Sequence, residues 1–304
     1  MPLNMISMFE RYSDDNKCRA ALVKLRWPEG VRCPECLSDK ISHVEERHIY
    51  DCDSCRYQFS VLAGTMLHDT HLPLTKWFLA TYIMCESRKG VSANQLKRML
   101  GVSYKTAWYL CHRIRAAMKE VEPRKLTGVV EVDETYVGGR HHGACIEGRG
   151  DPKKGIVVGI RKRGGDLRFF TAADVKAGTL GKIIRENVCE NVRLLVTDDF
   201  ASYQSALQGP HWKDRHKAIN HSSGKYVDGD IYTNTVESAF SLLKRGVIGT
   251  WHKVSLKHLQ AYCDEMTWRF NNRKNDYLFR DTLMKLVTSK NVEYKELTGQ
   301  TKAA

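Results

Sequence analysis

Apolar and polar positions change their period along this chain, and each change marks a segment. Residues 1–26 read as a short amphipathic lead. From about Pro73 to Met118 apolar residues recur at helical spacing. Within that stretch, Val91 to Met118 divides into two helices around Gly101, Val102 and Ser103, with Ser92 and Ser103 placed to cap them. Pro123 and the polar run "EPRKLTG" then mark a boundary. Beyond it "GVVEVDETYV" has the period-2 pattern of a strand, and the Gly-rich, basic "GGRHHGACIEGRGDPKKG" reads as a loop. "GIVVGIRK" and "LRFFTAADV" are two more strand-like runs, separated by Arg163, Gly164, Gly165 and Asp166, a hairpin signal. "TLGKIIRENV" predicts a helix, "VRLLVTDDF" a buried strand ending in acids, and "SYQSAL" a short helix. The stretch from about Gly209 to Asp230 reads as a loop, and helices are predicted over Thr233–Arg245 and Leu256–Asn271.

This succession predicts a mixed α/β domain over residues 127–275. The expected organisation before it is a lead over 1–26, a cysteine-bearing module over 27–62 and a helical domain over 73–122, with a tail over 276–304 after it. In such sheets ligands gather at the carboxyl ends of strands, where Asp133 and Asp198 are expected.

Composition narrows the class. At 42% hydrophobic residues the chain can fill a sizeable core, which excludes bulk disorder. Forty-eight basic residues against 35 acidic ones favour an anionic partner, nucleic acid first and a membrane surface second. No apolar run approaches the ~18 residues of a membrane span. The start "MPLNMISMFERYSDDNK" lacks the basic and apolar regions of a signal peptide, so a cytoplasmic protein is expected, nucleoid-associated if its partner is DNA. Ten cysteines in a reducing compartment point to metal or free thiols rather than disulfides.

Four of them have metal spacing. Cys33, Cys36, Cys52 and Cys55 form two CxxC knuckles separated by 15 residues, enough chain for a hairpin, and four thiolates close a tetrahedral zinc site. A closed site leaves no open coordination position, so this zinc is structural. His43 and His48 are then surface residues. Cys18, Cys85, Cys111, Cys145, Cys189 and Cys263 show no metal spacing.

The two helices after Val91 form a helix-turn-helix pattern. Leu96, Leu100 and Val102 face inward with Ala107, Leu110 and Ile114. Tyr104, Lys105, Thr106, Tyr109, Arg113 and Arg115 are left for an outer face, a basic second helix suited to the major groove. A plain helical hairpin is the alternative.

Three acids suggest a second kind of metal site. Asp133 follows one apolar strand and Asp198 another, while Glu237 lies on a helix with Lys244 seven residues on, on the same face. Converging carboxylates repel unless cations bind, and Mg²⁺ (or Mn²⁺) is the usual choice where phosphates react. Two such ions ~3.5–4 Å apart can serve an in-line displacement at phosphorus. Around Asp133, alternation puts Glu131 on the same face and Glu134 on the other. Glu131 is expected to bond basic side chains, and Glu134 to begin a turn.

The cysteine module, the helical pair, "VEVDETYVGG", "TDDFASY" and "YTNTVESAFSLLKRGVIGTWHKVSLKHLQAYCDEMTWRFNNR" together resemble the IS1595-type (ISXO2-like) insertion-sequence transposases, from about Trp27 to Arg273. The resemblance implies a ribonuclease H-like catalytic domain behind a zinc ribbon and a helix-turn-helix, with a DDE-type site and two-metal strand transfer. Asp133 and Asp198 match the first two family acids, Glu237 the third and Lys244 the basic residue after it. The third position varies in the family, so Asn234 is a rival ligand; Asp199 adjoins Asp198, and the first acid after the strand is preferred. His221, in "NHSSGKYV", matches a further family motif and could contact DNA or the scissile phosphate, or be structural. His211 and His216 are expected at the surface.

The function expected is therefore a DNA transposase that recognises terminal inverted repeats, hydrolyses a phosphodiester at each end and joins the freed 3′-hydroxyl to target DNA. Joining two ends requires a dimer or larger assembly on double-stranded DNA. The rivals are a catalytically inactive DNA-binding regulator, a nuclease that cuts without joining, and a zinc-stabilised scaffold.

Overall fold

The computed structural model describes residues 3–138, 154–219 and 231–299. Most of the Gly-rich loop, Cys145 and His221 lie outside these residues. The chain divides into two compact units, Met1–Met118 with Lys274–Ala304, and Lys119–Arg273.

The first unit opens with helices α1 (Met5–Arg11) and α2 (Asp15–Arg26), started by the side chains of Asn4 and Asp14, which accept from backbone N–H groups three residues on. A three-stranded antiparallel ribbon follows: β1 (Ile41–Val44), β2 (Ile49–Cys52) and β3 (Gln58–Phe59). Its small core is Cys33, Cys52 and Phe59, flanked by Trp27, Ile41 and Tyr50. Helix α3 (Leu74–Glu86) is buried along much of its length, Trp77, Phe78 and Met84 included. Helices α4 (Ala93–Leu100) and α5 (Tyr104–Met118) are the expected pair, capped as read: Ser92 accepts from the Gln95 N–H and Ser103 from the Thr106 N–H. Gly101, with φ of 60°, takes the left-handed turn that ends α4.

Among the described residues the second unit is built on a five-stranded sheet. Its strands are β4 (Val129–Val137), β5 (Gly155–Lys162), β6 (Leu167–Ala172), β7 (Leu194–Asp198) and β8 (His216–Ile219). The order is β6-β5-β4-β7-β8, antiparallel across the first three and parallel from β4 to β8. The expected hairpin is present, turning at Gly164 with φ of 70°. Helices α6 (Ala177–Asn187) and α7 (Ala201–Ala206) cover one face, packing on Val130, Val132, Val158, Ile160 and Leu195. Helices α8 (Asn234–Gly246), continued by a π-helical turn Val247–Trp251, and α9 (Leu259–Asn271) cover the other, on Val137, Val157 and Phe169. Burial on both faces explains why β4 and β5 are rich in Val and Ile.

Two expectations are corrected. The loop expected from Gly209 contains β8, an edge strand too short and polar to show alternation. Residues after 275 are not simply a tail: α10 (Leu278–Thr288) packs on α2, α3 and α5, and α11 (Tyr294–Thr298) follows it. Leu278, Phe279, Leu283 and Leu286 supply its buried side.

Candidate metal centres

The two CxxC knuckles fold alike. After each, one non-glycine residue takes a left-handed conformation, Leu37 at φ 61° and Arg56 at φ 63°. The N–H groups of those residues bond back to the carbonyls of Cys33 and Cys52. The four sulfurs lie within 4.8 Å of one another, with Cys33 Sγ 3.6 Å from Cys55 Sγ and Cys36 Sγ 3.5 Å from Cys52 Sγ. Tetrahedral zinc–thiolate bonds of ~2.3 Å space sulfurs about 3.8 Å apart, so the donor set fits zinc. His43 is exposed and stacked on Tyr50, and neither it nor His48 joins the sulfurs.

The acids come together through the sheet. Parallel β4 and β7 pair Val129 with Leu194, Val130 with Leu195 and Glu131 with Val196. Two positions further along each strand stand Asp133 and Asp198, at the same parity. Asp198 ends β7, but β4 runs on to Val137 beside β5, so Asp133 lies where β4 loses its β7 partner rather than at the strand's own end.

Glu134 does not begin a turn. It sits inside β4, and carboxylate oxygens of Asp133, Glu134 and Asp198 all lie within 4.8 Å of one another. Alternation puts Glu134 on the face opposite Asp133, and that is the face α7 covers; what sequence spacing does not convey is that β4 runs on past Glu134 to Val137. Its partner is Tyr203 of α7, fully buried, whose hydroxyl donates to Glu134 Oε2 at 2.6 Å.

Glu237 is half-buried in the first turn of α8, where Thr233 Oγ1 donates to it at 2.8 Å. Its charge acts on Asp133. Burial pushes the Asp133 carboxyl up to about 8, and the charges of Glu134, Asp198 and Glu237 push the same way, against the Glu134 backbone N–H that favours the carboxylate. Burial and Asp198 raise Glu134 as well, opposed by the Tyr203 bond. Such a cluster is relieved by a divalent cation, and its all-oxygen donors suit Mg²⁺ or Mn²⁺.

The other expected residues are placed as follows. Asn234 opens α8 and is exposed, and Lys244 is exposed in its last turn. Asp199 accepts from Gln204 at 2.6 Å, outside the three-carboxylate group. His211 is exposed, but His216 is half-buried in β8 against Thr197 Oγ1 at 2.9 Å. Glu131 is fully buried and bonded to Arg163 at 2.6 Å, the basic partner expected of it.

The outer face expected on α5 is corrected. Tyr104 and Lys105 are exposed and Thr106 half-exposed. Arg113 and Arg115 are buried at 3% and 2% exposure. Arg113 donates to the His68 carbonyl and to Asn291 Oδ1, with its guanidinium over Trp77 and Tyr109, and the Tyr109 hydroxyl donates to the Val292 carbonyl. The returning C-terminal segment takes that side of α5, which a reading of the segment as a tail leaves open.

Among the described residues no helix is long and apolar enough to cross a membrane. An ISXO2-like transposase domain matches residues 125–271 and a transposase zinc-ribbon domain matches residues 13–58. A curated relative, an uncharacterized protein in transposable element ISH50 of Halobacterium salinarum, is 29% identical over 255 residues, 77% of this chain and 83% of the relative. A crystal structure of the Mos1 strand transfer complex aligns at 11% identity and a TM-score of 0.29 over 69% of this chain and 75% of its own, too distant to bear on the site. The two domain matches together span well over half of the residues, and the chain belongs to the IS1595-type (ISXO2-like) transposase family.

Proposed function

We propose that the protein is a DDE-type DNA transposase: a ribonuclease H-like domain cuts and joins DNA, and the zinc ribbon and helix-turn-helix recognise the terminal inverted repeats. The observation that carries the reading is the parallel register that aligns Asp133 and Asp198 on adjacent strands, with the charge of Glu237 reaching Asp133 from α8. Asp133, Asp198 and Glu237 are the residues that would hold two divalent cations. Bound there, such ions supply activation of the attacking oxygen and charge stabilisation at the leaving oxygen of an in-line displacement. The carboxylates stay in place for both displacements, with water as the first nucleophile and the freed 3′-hydroxyl as the second. Lys244, on the same helix as Glu237, holds the phosphodiester backbone near the cut.

On the recognition side, Tyr104, Lys105 and Thr106 open α5, and the first residues of a recognition helix are those that reach base edges. Arg113 and Tyr109 serve the packing of α5 instead. Two ends must be joined at once, so the active species is a dimer or larger assembly on DNA.

The test uses DNA carrying the inverted repeats that bracket the gene. Wild-type protein is expected to cut these ends with Mg²⁺ and to join a pre-cut end to target DNA, while Asp133→Asn binds the ends and does neither. Cutting without any joined product from a pre-cut end identifies a nuclease. An Asp133→Asn protein indistinguishable from wild type in every assay identifies a regulator.

A further inference from the structure

Glu131 is spent on something the metal-holding acids do not need. It is fully buried one pleat before Asp133, on the same face of β4 and about 6.6 Å along the strand. One oxygen, Oε1, accepts from Arg163 Nε at 2.6 Å. The other, Oε2, accepts three bonds from the start of α8: the Thr235 N–H at 3.0 Å, the Val236 N–H at 3.0 Å and the Thr235 hydroxyl at 2.7 Å.

A helix start has free N–H groups, normally capped by the side chain just before them. Thr233 occupies that position in α8 but makes no capping bond; its hydroxyl goes to Glu237. The cap is delivered from the strand instead. The same few residues are held from two more directions, Arg163 donating to the Tyr232 carbonyl at 2.8 Å and Arg161 donating to the Thr235 carbonyl. Arg161 is paired directly across from Glu131 on β5. Opposite Asp133 on the same strand is Gly159, where an added Cβ would stand 2.7 Å from Phe240 and 2.8 Å from Val236 of α8. Local capping would secure the helix; capping from β4 also fixes how far the helix lies from the strand.

We infer that Glu131 is a positioning residue, which sets the separation of Glu237 from Asp133 by capping α8 from β4. The inference rests on Glu237 being a metal-holding acid, and the experiment keeps the two apart. Mn²⁺ binding to the full chain is measured by electron paramagnetic resonance, with hydrogen exchange of the Thr235 and Val236 amides and the thermal midpoint recorded for each variant. Glu237→Gln is the reference. Glu131→Asp keeps the charge and loses reach, and Thr235→Val removes only the hydroxyl donor. Outer ligand-supporting groups typically matter 10–100-fold in metal affinity. Glu131→Asp is therefore expected to weaken Mn²⁺ binding about tenfold or more and to speed exchange of the two amides, with kcat falling and KM for DNA unchanged. Thr235→Val is expected to weaken binding about threefold, and carries the test if Glu131→Asp fails to fold. If Glu237→Gln weakens Mn²⁺ binding while both other variants bind it as wild type does, the positioning role is wrong. If Glu237→Gln leaves Mn²⁺ binding intact, the reading of Glu237 as a ligand falls, and the purpose assigned to Glu131 with it.

Discussion

The cysteine cluster and the acidic cluster each bring ligating atoms within 4.8 Å of one another, but by different routes. The cysteines span 23 positions, from Cys33 to Cys55, and two similar turns place them without help from distant chain. The acids of that group span 66 positions, Asp133 to Asp198, and need a parallel register and an interrupted pairing to meet. Their energetics differ as well. Cys33 and Cys52 form the core of a ribbon that has little else to bury, Phe59 being its one large buried side chain. Carboxylates between β4, β7 and α8 sit on a sheet that already has apolar layers on both faces, and there they repel. The first site holds its domain together; the second is held together by its domain.

Metal removal breaks the comparison most sharply. Binding free energy of structural zinc is on the order of 10 kcal/mol in small zinc domains, and without it they do not fold. Purified protein is expected to contain one zinc per chain by elemental analysis. Chelation, or Cys36→Ser, should open residues 31–60 to proteolysis while the strands of the sheet stay protected. Depleting Mg²⁺ should leave both regions protected. Equal protection of the ribbon with and without zinc would remove the contrast.

Asp133→Asn should act in the opposite sense on stability and activity. Activity is expected to fall by about 10³-fold, the scale of losing a principal electrostatic group. Stability of the metal-free protein should rise. The Asp133 carboxyl is raised to about 8, so the folded protein binds its proton more tightly than the unfolded chain does. The contribution of this group to stability is then largest at low pH and is lost as pH climbs from the usual carboxylate range towards 8. Removing the charge should recover on the order of 3 kcal/mol at pH 7 and flatten that slope in thermal melts. Cation binding to wild type should release a proton below pH 8, measurable by calorimetry in buffers of different ionisation enthalpy. A Cys36→Ser protein gains nothing comparable at any pH.

The same difference governs what could be read from the sequence. Local spacing conveyed the four cysteines, the caps Ser92 and Ser103, and the hairpin at Gly164. Asp133, Asp198 and Glu237 were singled out by strand and helix patterns and by resemblance, and the sheet aligns the first two. Glu134 is expected at a turn but lies within β4, because the strand runs on three positions beyond it to Val137, and its meeting with Asp198 happens where β4 and β7 no longer pair. Arg113 is misplaced for a related reason: periodicity on α5 cannot tell water from a segment that returns 178 residues later. Long-range partners, rather than local propensity, account for these failures.

Gly159→Ala tests whether α8 must approach the strand closely. The new methyl would meet Phe240 and Val236 at under 3 Å, directly across from Asp133. Overpacking of this kind costs about 1–3 kcal/mol. It should also lower Mn²⁺ affinity by displacing α8, whereas a comparable change in the ribbon core, Phe59→Leu, should lower stability and leave Mn²⁺ binding as it is. If Gly159→Ala loses stability alone, the docking of α8 does not determine the acidic site.

The smallest effect decides whether the acidic site includes Glu134. Tyr203→Phe removes one hydroxyl, the donor to Glu134 Oε2 at 2.6 Å, without altering the shape of a fully buried ring. A hydrogen bond to a charged group contributes about 1.5–3 kcal/mol, and one to a neutral acid about 1 kcal/mol. The bond now lowers the Glu134 carboxyl against burial and Asp198, so its loss raises that group further. A raised carboxyl favours the folded state while protonated and disfavours it once ionised. The variant and wild type should therefore differ least in thermal stability at low pH, and the gap should widen as pH rises through the range where Glu134 ionises. Magnesium should close part of the gap if Glu134 helps to hold the cation, because the ion then replaces the lost donor. A gap that widens with pH but ignores Mg²⁺ would leave Glu134 a buried neighbour of the site, and the metal-holding set would be Asp133, Asp198 and Glu237 alone.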